Sequence, residues 1–253
     1  MTGRLCPFGG RATRAGVFKR LIDLALPPRC PGCGATVADQ GRFCAACWPK
    51  IRFIGPPWCH TCNVPFDHDR GPEARCAACL AHPPAHAGVR AAVAYGAVAR
   101  TVALRLKYGG RTADAETMAA LMRRHMPEGT ALLVPVPLHR RRLWWRGYNQ
   151  AGLIAAALGR RTGVPVDVRV LERHRATPPL RDRSPRERRK TVAGAFRIAA
   201  GKRDRVRGRA LVLVDDVYTS GATTDACVAV LLAAGAASVT IMTWARVIDD
   251  GDD

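Results

Sequence analysis

Eight of the ten cysteines fall in four CxxC pairs: Cys30/Cys33, Cys44/Cys47, Cys59/Cys62 and Cys76/Cys79. Nothing else in the sequence restricts the fold as tightly, because each pair must form either a disulfide or half of a metal site. No apolar run reaches the ~18 residues of a membrane span. The N-terminal apolar segment, Leu21 to Leu26, is short and carries Asp23, unlike a secretory signal. The expected location is therefore cytoplasmic, where CxxC spacing reads as zinc rather than disulfides. Two pieces also repeat. PPRCPGCG is followed by RFCAACW, and PPWCHTCN by ARCAACL. A duplicated ribbon with one Zn per copy is the simplest reading. Cys30, Cys33, Cys44 and Cys47 would bind one ion, and Cys59, Cys62, Cys76 and Cys79 the other. Interleaved pairing, first knuckle with third, is the competing arrangement. Four thiolates leave zinc no open position, so the sites would be structural. Modules this small bury too little to fold alone, and the metal would supply the missing free energy. Gly34 and Asn63, each following a knuckle, suit a left-handed backbone.

Residues 1–26 read as a basic arm with a short amphipathic helix around Val17 to Leu24. Residues 27–82 form the cysteine module, and a linker containing Pro83 and Pro84 follows. From residue 88 to about 248 the pattern alternates. Strands are expected at RAAVAY, ALLVPVP, Val166 to Leu171, RALVLV and SVTIMTWA. Helices are expected at Val98 to Tyr108, Ala113 to His125, Asn149 to Arg161 and Thr223 to Ala234. Glu172 to Gly194 shows no periodicity. Alternating strands and helices predict an α/β fold with a parallel sheet covered on both faces.

The richest chemistry lies in LVLVDDVYTSGATT, Leu211 to Thr224. A buried strand delivers Asp215 and Asp216 to its carboxyl end, where open α/β sheets bind ligands. The loop Tyr218, Thr219, Ser220, Gly221, Ala222 and Thr223 then opens a helix. Backbone N–H groups and the helix dipole favour phosphate there, and the carboxylates suit ribose hydroxyls. A turn and helix cap would be the plain alternative, but two carboxylates after a buried strand are more specific. No lysine follows the glycine, so this is not the nucleotide loop of P-loop proteins.

The chain carries 40 Lys and Arg against 20 Asp and Glu, a net charge of +20. Such a field attracts nucleic acid, nucleotides and phosphorylated metabolites. Arginine concentrates at Arg140 to Arg146 with Trp144 and Trp145, at Arg173 to Lys190 and at Lys202 to Arg209. Cations interleaved with aromatics suit single-stranded nucleic acid. The alternative is that the tryptophans pack on the domain while the arginines line an anion site.

In order, PPRCPGCG, LKYGGR, VPVPL with RGYNQ, AGAF and LVLVDDVYTSGAT resemble the ComF family, across about Pro27 to Ala245. The last motif is similar to the phosphoribosyl pyrophosphate (PRPP) signature of type I phosphoribosyltransferases. The resemblance implies a type I phosphoribosyltransferase-like parallel sheet with flanking helices, preceded by a small double zinc ribbon. It implies PRPP with Mg as ligand, and a role in natural transformation and DNA uptake. Single-stranded DNA, a DNA-uptake helicase or other competence proteins would be partners. By position, Asp215 and Asp216 would hold ribose hydroxyls as the catalytic pair, and Thr219 to Thr223 the 5′-phosphate. His139, Arg140 and Arg142 would approach pyrophosphate, with Lys107 a further anion contact. Arg146, Gly147, Asn149 and Gln150 belong to the family's signature. Arg173 to Lys190 matches the segment that closes over substrate in such enzymes. Leu180 stands there where the family commonly has glutamine, and Thr191 where it has asparagine. Two functions of different class follow: a phosphoribosyltransferase, or a single-stranded nucleic-acid-binding factor whose PRPP pocket senses ligand or is a relic.

Overall fold

The structure, a computed structural model, describes residues 27–177 and 184–248. The expected helix around Val17 to Leu24 and the position of Leu180 lie outside these residues.

The cysteine module contains a 3-10 turn at Trp48–Lys50 and helix α1 (Ala77–Ala81). The remainder runs β1 (Gly88–Ala94), α2 (Ala97–Tyr108), α3 (Asp114–Met122), β2 (Leu132–Pro135), α4 (Arg140–Arg146), α5 (Gln150–Thr162), β3 (Leu171–Arg173), α6 (Pro185–Val192), β4 (Phe196–Ile198), β5 (Ala210–Tyr218), α7 (Ala222–Ala233) and β6 (Ser238–Arg246). Four strands form a parallel sheet in the order β1-β6-β5-β2, as the alternation predicts. β3 and β4 pair separately and antiparallel.

Strand alternation divides the core in two. Val212 and Val214 of β5 face Val102, Leu106, Met118 and Ile154 from α2, α3 and α5. Leu211 and Leu213 face Cys227, Val228 and Leu231 of α7. The strands are buried on both sides, which is why they read as continuous apolar runs. Cys227 is accordingly a small core residue.

β1 is an edge strand, and the cysteine module covers it. The Val89 N–H donates to the Thr61 carbonyl at 2.8 Å, and the Ala94 N–H to the Arg52 carbonyl at 2.8 Å. The Ile54 N–H donates to the Ala92 carbonyl at 3.1 Å, and the Asn63 Oδ1 accepts from the Ala91 N–H at 2.7 Å. These bonds satisfy strand groups that would otherwise invite pairing with another chain.

Three elements differ from the sequence reading. The strand expected over Val166 to Leu171 is reduced to one bridge, Leu133 to Val166, and the chain then turns. Asp167 causes the turn: its carboxylate accepts from the Arg169 N–H at 3.0 Å and pairs with Lys202 at 2.9 Å. Within the supposedly unpatterned stretch, α6 is an eight-residue helix. Ser184 and Glu187 cap it reciprocally, a box written in the sequence as SPRE. The stretch after VPVP, where the sequence reading places no element, is helix α4, entered through His139, whose Nδ1 accepts from the Arg141 N–H.

Candidate functional site

The two ribbons are built alike. The Cys30 N–H donates to the Ala35 carbonyl and the Cys59 N–H to the Val64 carbonyl, both at 2.7 Å. The Gly34 and Asn63 N–H groups donate back to the carbonyls of Cys30 and Cys59, both at 2.9 Å. Gly34 has φ +84° and Asn63 φ +66°, the left-handed backbone expected after each knuckle.

The ligand sets are sequential, not interleaved. In each set the four Sγ atoms lie within 4.8 Å of one another: Cys30, Cys33, Cys44 and Cys47, then Cys59, Cys62, Cys76 and Cys79. Cys33 and Cys44 sulfurs are 3.5 Å apart, Cys62 and Cys76 sulfurs 3.6 Å. Zinc with bonds near 2.3 Å spaces its thiolates by roughly 3.8 Å, so both sets fit a closed tetrahedral ion. Backbone donors support the thiolate form. The Cys44 N–H points to the Cys30 Sγ at 3.3 Å, and the Cys76 N–H to the Cys59 Sγ at 3.3 Å. The hydrogen bond from Cys62, helped by backbone donors, holds the Cys59 thiol well below the ordinary range despite burial. Cys62 itself is pushed up by sharing that bond and by burial. A dication at the centre removes this conflict by accepting all four thiolates.

At the carboxyl end of β5, alternation separates the two carboxylates. Asp215 lines a hollow with Tyr218, Thr219, Ser220, Gly221, Ala222, Thr223, Thr224 and Arg188. Asp216 points to the opposite face, is 3% exposed, and meets the Lys107 ammonium of α2 at 2.7 Å. Burial and the adjacent Asp216 push the Asp215 carboxyl well above the usual carboxylate range, with Lys107 opposing them. Burial alone would lower the Lys107 ammonium's pKa, but the Asp216 carboxylate raises it.

Gly221 makes the loop possible. It sits before α7 with φ +73°, and a Cβ there would lie 2.7 Å from the Tyr218 Oη and 3.0 Å from the Asp225 Oδ2. A side chain would be both strained and obstructed. The Thr224 hydroxyl donates to the Gly221 carbonyl at 2.8 Å, locking the turn. The loop thus leads directly into the first turn of α7.

The other expected site residues occupy nearby elements. Arg142 of α4 donates to the Thr177 carbonyl at 3.2 Å. Arg173 donates to the Thr177 hydroxyl, and its backbone bridges His139. Arg140 is exposed at the start of α4. None of His139, Arg140 or Arg142 lines the hollow around Gly221. The RGYNQ signature joins α4 to α5. Gly147 ends α4 at φ +76°, and Asn149 caps α5 by accepting from the Ala151 N–H at 3.1 Å. Asn149 also donates to the Val136 carbonyl at 3.0 Å. The Tyr148 hydroxyl donates to the Leu106 carbonyl at 2.6 Å. Arg146 donates to the Gln150 Oε1 at 2.5 Å and lies over the Tyr108 ring. Trp144 and Trp145 do not pack on the domain: they are 79% and 82% exposed and meet edge to face at 5.5 Å.

Two arginines of the segment expected to close over substrate, Arg173 to Lys190, stand near Asp215. Arg188 reaches the hollow because α6 packs on α7. The SPRE box is the signal that could place it on a helix. Arg173 is buried, and its position follows from the β3–β4 pairing, which the sequence does not announce.

Comparison with known proteins joins these parts. The double zinc ribbon domain family matches residues 21–80. The DNA utilization protein YhgH of Escherichia coli O157:H7 is 30% identical over 234 residues, covering 89% of this chain and all of the relative. Competence protein F of Haemophilus influenzae is 27% identical over 228 residues, covering 86% of this chain and 96% of the relative. Among solved structures, glutamine PRPP amidotransferase from B. subtilis matches 55% of this chain and 30% of its own, with 19% identity and a TM-score of 0.38. With two sequential four-cysteine sites, a four-stranded parallel sheet and a relative matched along its whole length, the chain belongs to the ComF family of DNA utilization and competence proteins.

Proposed function

We propose that the hollow at the end of β5 binds PRPP and that the protein uses this pocket in DNA uptake. The observation carrying the reading is the left-handed Gly221 turn, which opens α7 directly beside Asp215. The N–H groups and hydroxyls of Thr219, Ser220 and Thr223 suit a 5′-phosphate. Asp215 suits the ribose hydroxyls, and Arg188 adds a cation at the rim. Asp216, neutralised by Lys107, fixes the strand end from behind. Mg bound with the pyrophosphate would supply charge neutralisation, and Arg142 and His139 stand on the neighbouring connection that could meet that group. Any transfer reaction would rest on positioning and charge more than on acid–base groups. Titration calorimetry with Mg–PRPP tests the reading. Saturable binding is expected from the wild type and at least a tenfold loss from Gly221→Val. No binding by the wild type would refute it.

A second reading rests on a separate observation, the exposed Trp144–Trp145 pair among Arg140, Arg141, Arg142 and Arg146. Bases stack on such rings while arginines meet phosphates. The surface fits single-stranded DNA, whether or not PRPP is transferred. Trp144→Ala with Trp145→Ala should weaken binding to a labelled oligonucleotide by roughly 1–3 kcal/mol per stacked base. Affinity that does not fall with salt would contradict it.

A further inference from the structure

Arg246 ends β6 and is 7% exposed. A guanidinium this deep needs partners that replace water. One of its partners belongs to the second ribbon: its Nη1 donates to the carbonyl of Cys62, inside the CxxC knuckle. Its other side lies over the Tyr218 ring, 5.4 Å from the centroid, within cation–π range. The sheet enforces this meeting, since Tyr218 and Arg246 are register partners and the Val247 N–H donates to the Tyr218 carbonyl at 2.9 Å. Tyr218 in turn places its hydroxyl against Gly221, the left-handed residue on which the loop turns. A contiguous line therefore runs from Cys62 through Arg246 and Tyr218 to Gly221.

The first ribbon has no equivalent among the described residues. Its carbonyl at Pro31 accepts from Arg105 of α2 at 2.9 Å, on the face of the sheet where Asp216 and Lys107 lie. It braces the helix, not the loop.

We infer that Arg246 is a positioning residue for the phosphate loop, through which the second zinc knuckle and the pocket are coupled. Metal at the second site holds the Cys62 carbonyl, the carbonyl orients Arg246, and Arg246 fixes the ring that supports Gly221. The coupling is reciprocal by thermodynamic necessity: if zinc at this site tightens phosphate binding, bound phosphate must tighten that zinc. This inference rests on the PRPP reading of the pocket.

The test is zinc release from the full-length protein into a chromogenic chelator, with and without saturating Mg–PRPP. Cys33→Ser and Cys62→Ser assign the kinetic phases to the first and second sites. Mg–PRPP should slow second-site release at least threefold and leave the first site unchanged. Arg246→Met should keep two zinc ions per chain, abolish that slowing and weaken Mg–PRPP at least tenfold, and Arg246→Lys should recover part of both. Tyr218→Leu keeps the Arg246–Cys62 bond and should also uncouple, so a poorly folded Arg246→Met leaves the test intact. Wild type that binds Mg–PRPP while both phases slow equally, or neither slows, overturns the coupling alone. Wild type that fails to bind overturns the pocket reading and the coupling with it.

Discussion

The two ribbons share a sequence pattern, a knuckle geometry and a ligand set, yet the fold uses them differently. Cys30 and Cys47 are part of the main core, packed with Val98, Ala99 and Val102. A Cβ on Gly32 would collide with the Cys47 Sγ at 2.8 Å. The second ribbon has a small core of its own, Cys59, Val64, Cys76 and Cys79 with Phe66 against them. It joins the sheet through backbone and buried polar bonds: Asn63 to Ala91, Thr61 to Val89, Arg90 to the His60 carbonyl at 2.9 Å, and Arg246 to Cys62. A hydrophobic seam mainly adds stability, whereas a directional polar seam adds geometry. Duplicated metal modules can therefore diverge in role without any change in their ligands.

Removing a ligand from each ribbon should separate them most. Cys47→Ser should drop zinc from two ions per chain to one and lower stability by roughly 5 kcal/mol or more, because it loses the metal and opens the core. Cys62→Ser should lose the same zinc count with a smaller fall in melting temperature. Its signature should be faster hydrogen exchange at Val89 and Ala91, whose partners sit on that ribbon. Equal melting temperatures in the two variants would break the comparison.

The residues after the knuckles sharpen it. Asn63→Ala should cost about 2–3 kcal/mol in denaturant unfolding, since it strains the left-handed backbone and orphans the Ala91 N–H. Gly34→Ala, at an equally left-handed position with nothing closer than the Arg105 Nη2 at 3.7 Å, should cost about 1 kcal/mol. Asn63→Gly would keep the conformation and lose only the bond, so its cost should fall between them.

The smallest effect lies at the far end of the second ribbon's reach. Burial raises the Asp225 carboxyl to about 6 from an ordinary 3.8, against the pull of Arg189. The folded state thus favours the protonated form. Its contribution is fully present below the ordinary carboxylate range and is lost as pH rises through about 6. Asp225→Asn should stabilise the protein by about 1 kcal/mol at a pH of roughly 7.5, once partial solvent access is allowed for, and by nothing near a pH of roughly 4. Thermal melts across that range check the sign.

Much of this is legible in the sequence because the signals are local. CxxC repeats fix ligands within a few residues, and Gly34 and Asn63 announce their backbone. The apolar run Leu211 to Val214 identifies a strand buried on both faces. Local pattern fails where a distant partner decides. The strand expected at Val166 to Leu171 is broken by Asp167, which binds Lys202 far along the chain. Asp215 and Asp216 read as one pair, but alternation across β5 and the ammonium of Lys107 give them different surroundings. Arg246 falls just past the expected strand SVTIMTWA and carries no local signal, because Cys62 and Tyr218 come from another module and another strand. The charge cluster at Arg140 to Arg146 leaves the tryptophans' packing open, and only their exposure in α4 resolves it.

The most direct test of the pocket is hydrogen exchange on the zinc-loaded protein with and without Mg–PRPP. The expected result is protection at Thr219 to Thr224, extending to the Cys59–Cys62 knuckle and sparing Cys30–Cys33. Protection confined to α4, or none at the Gly221 turn, would contradict the account.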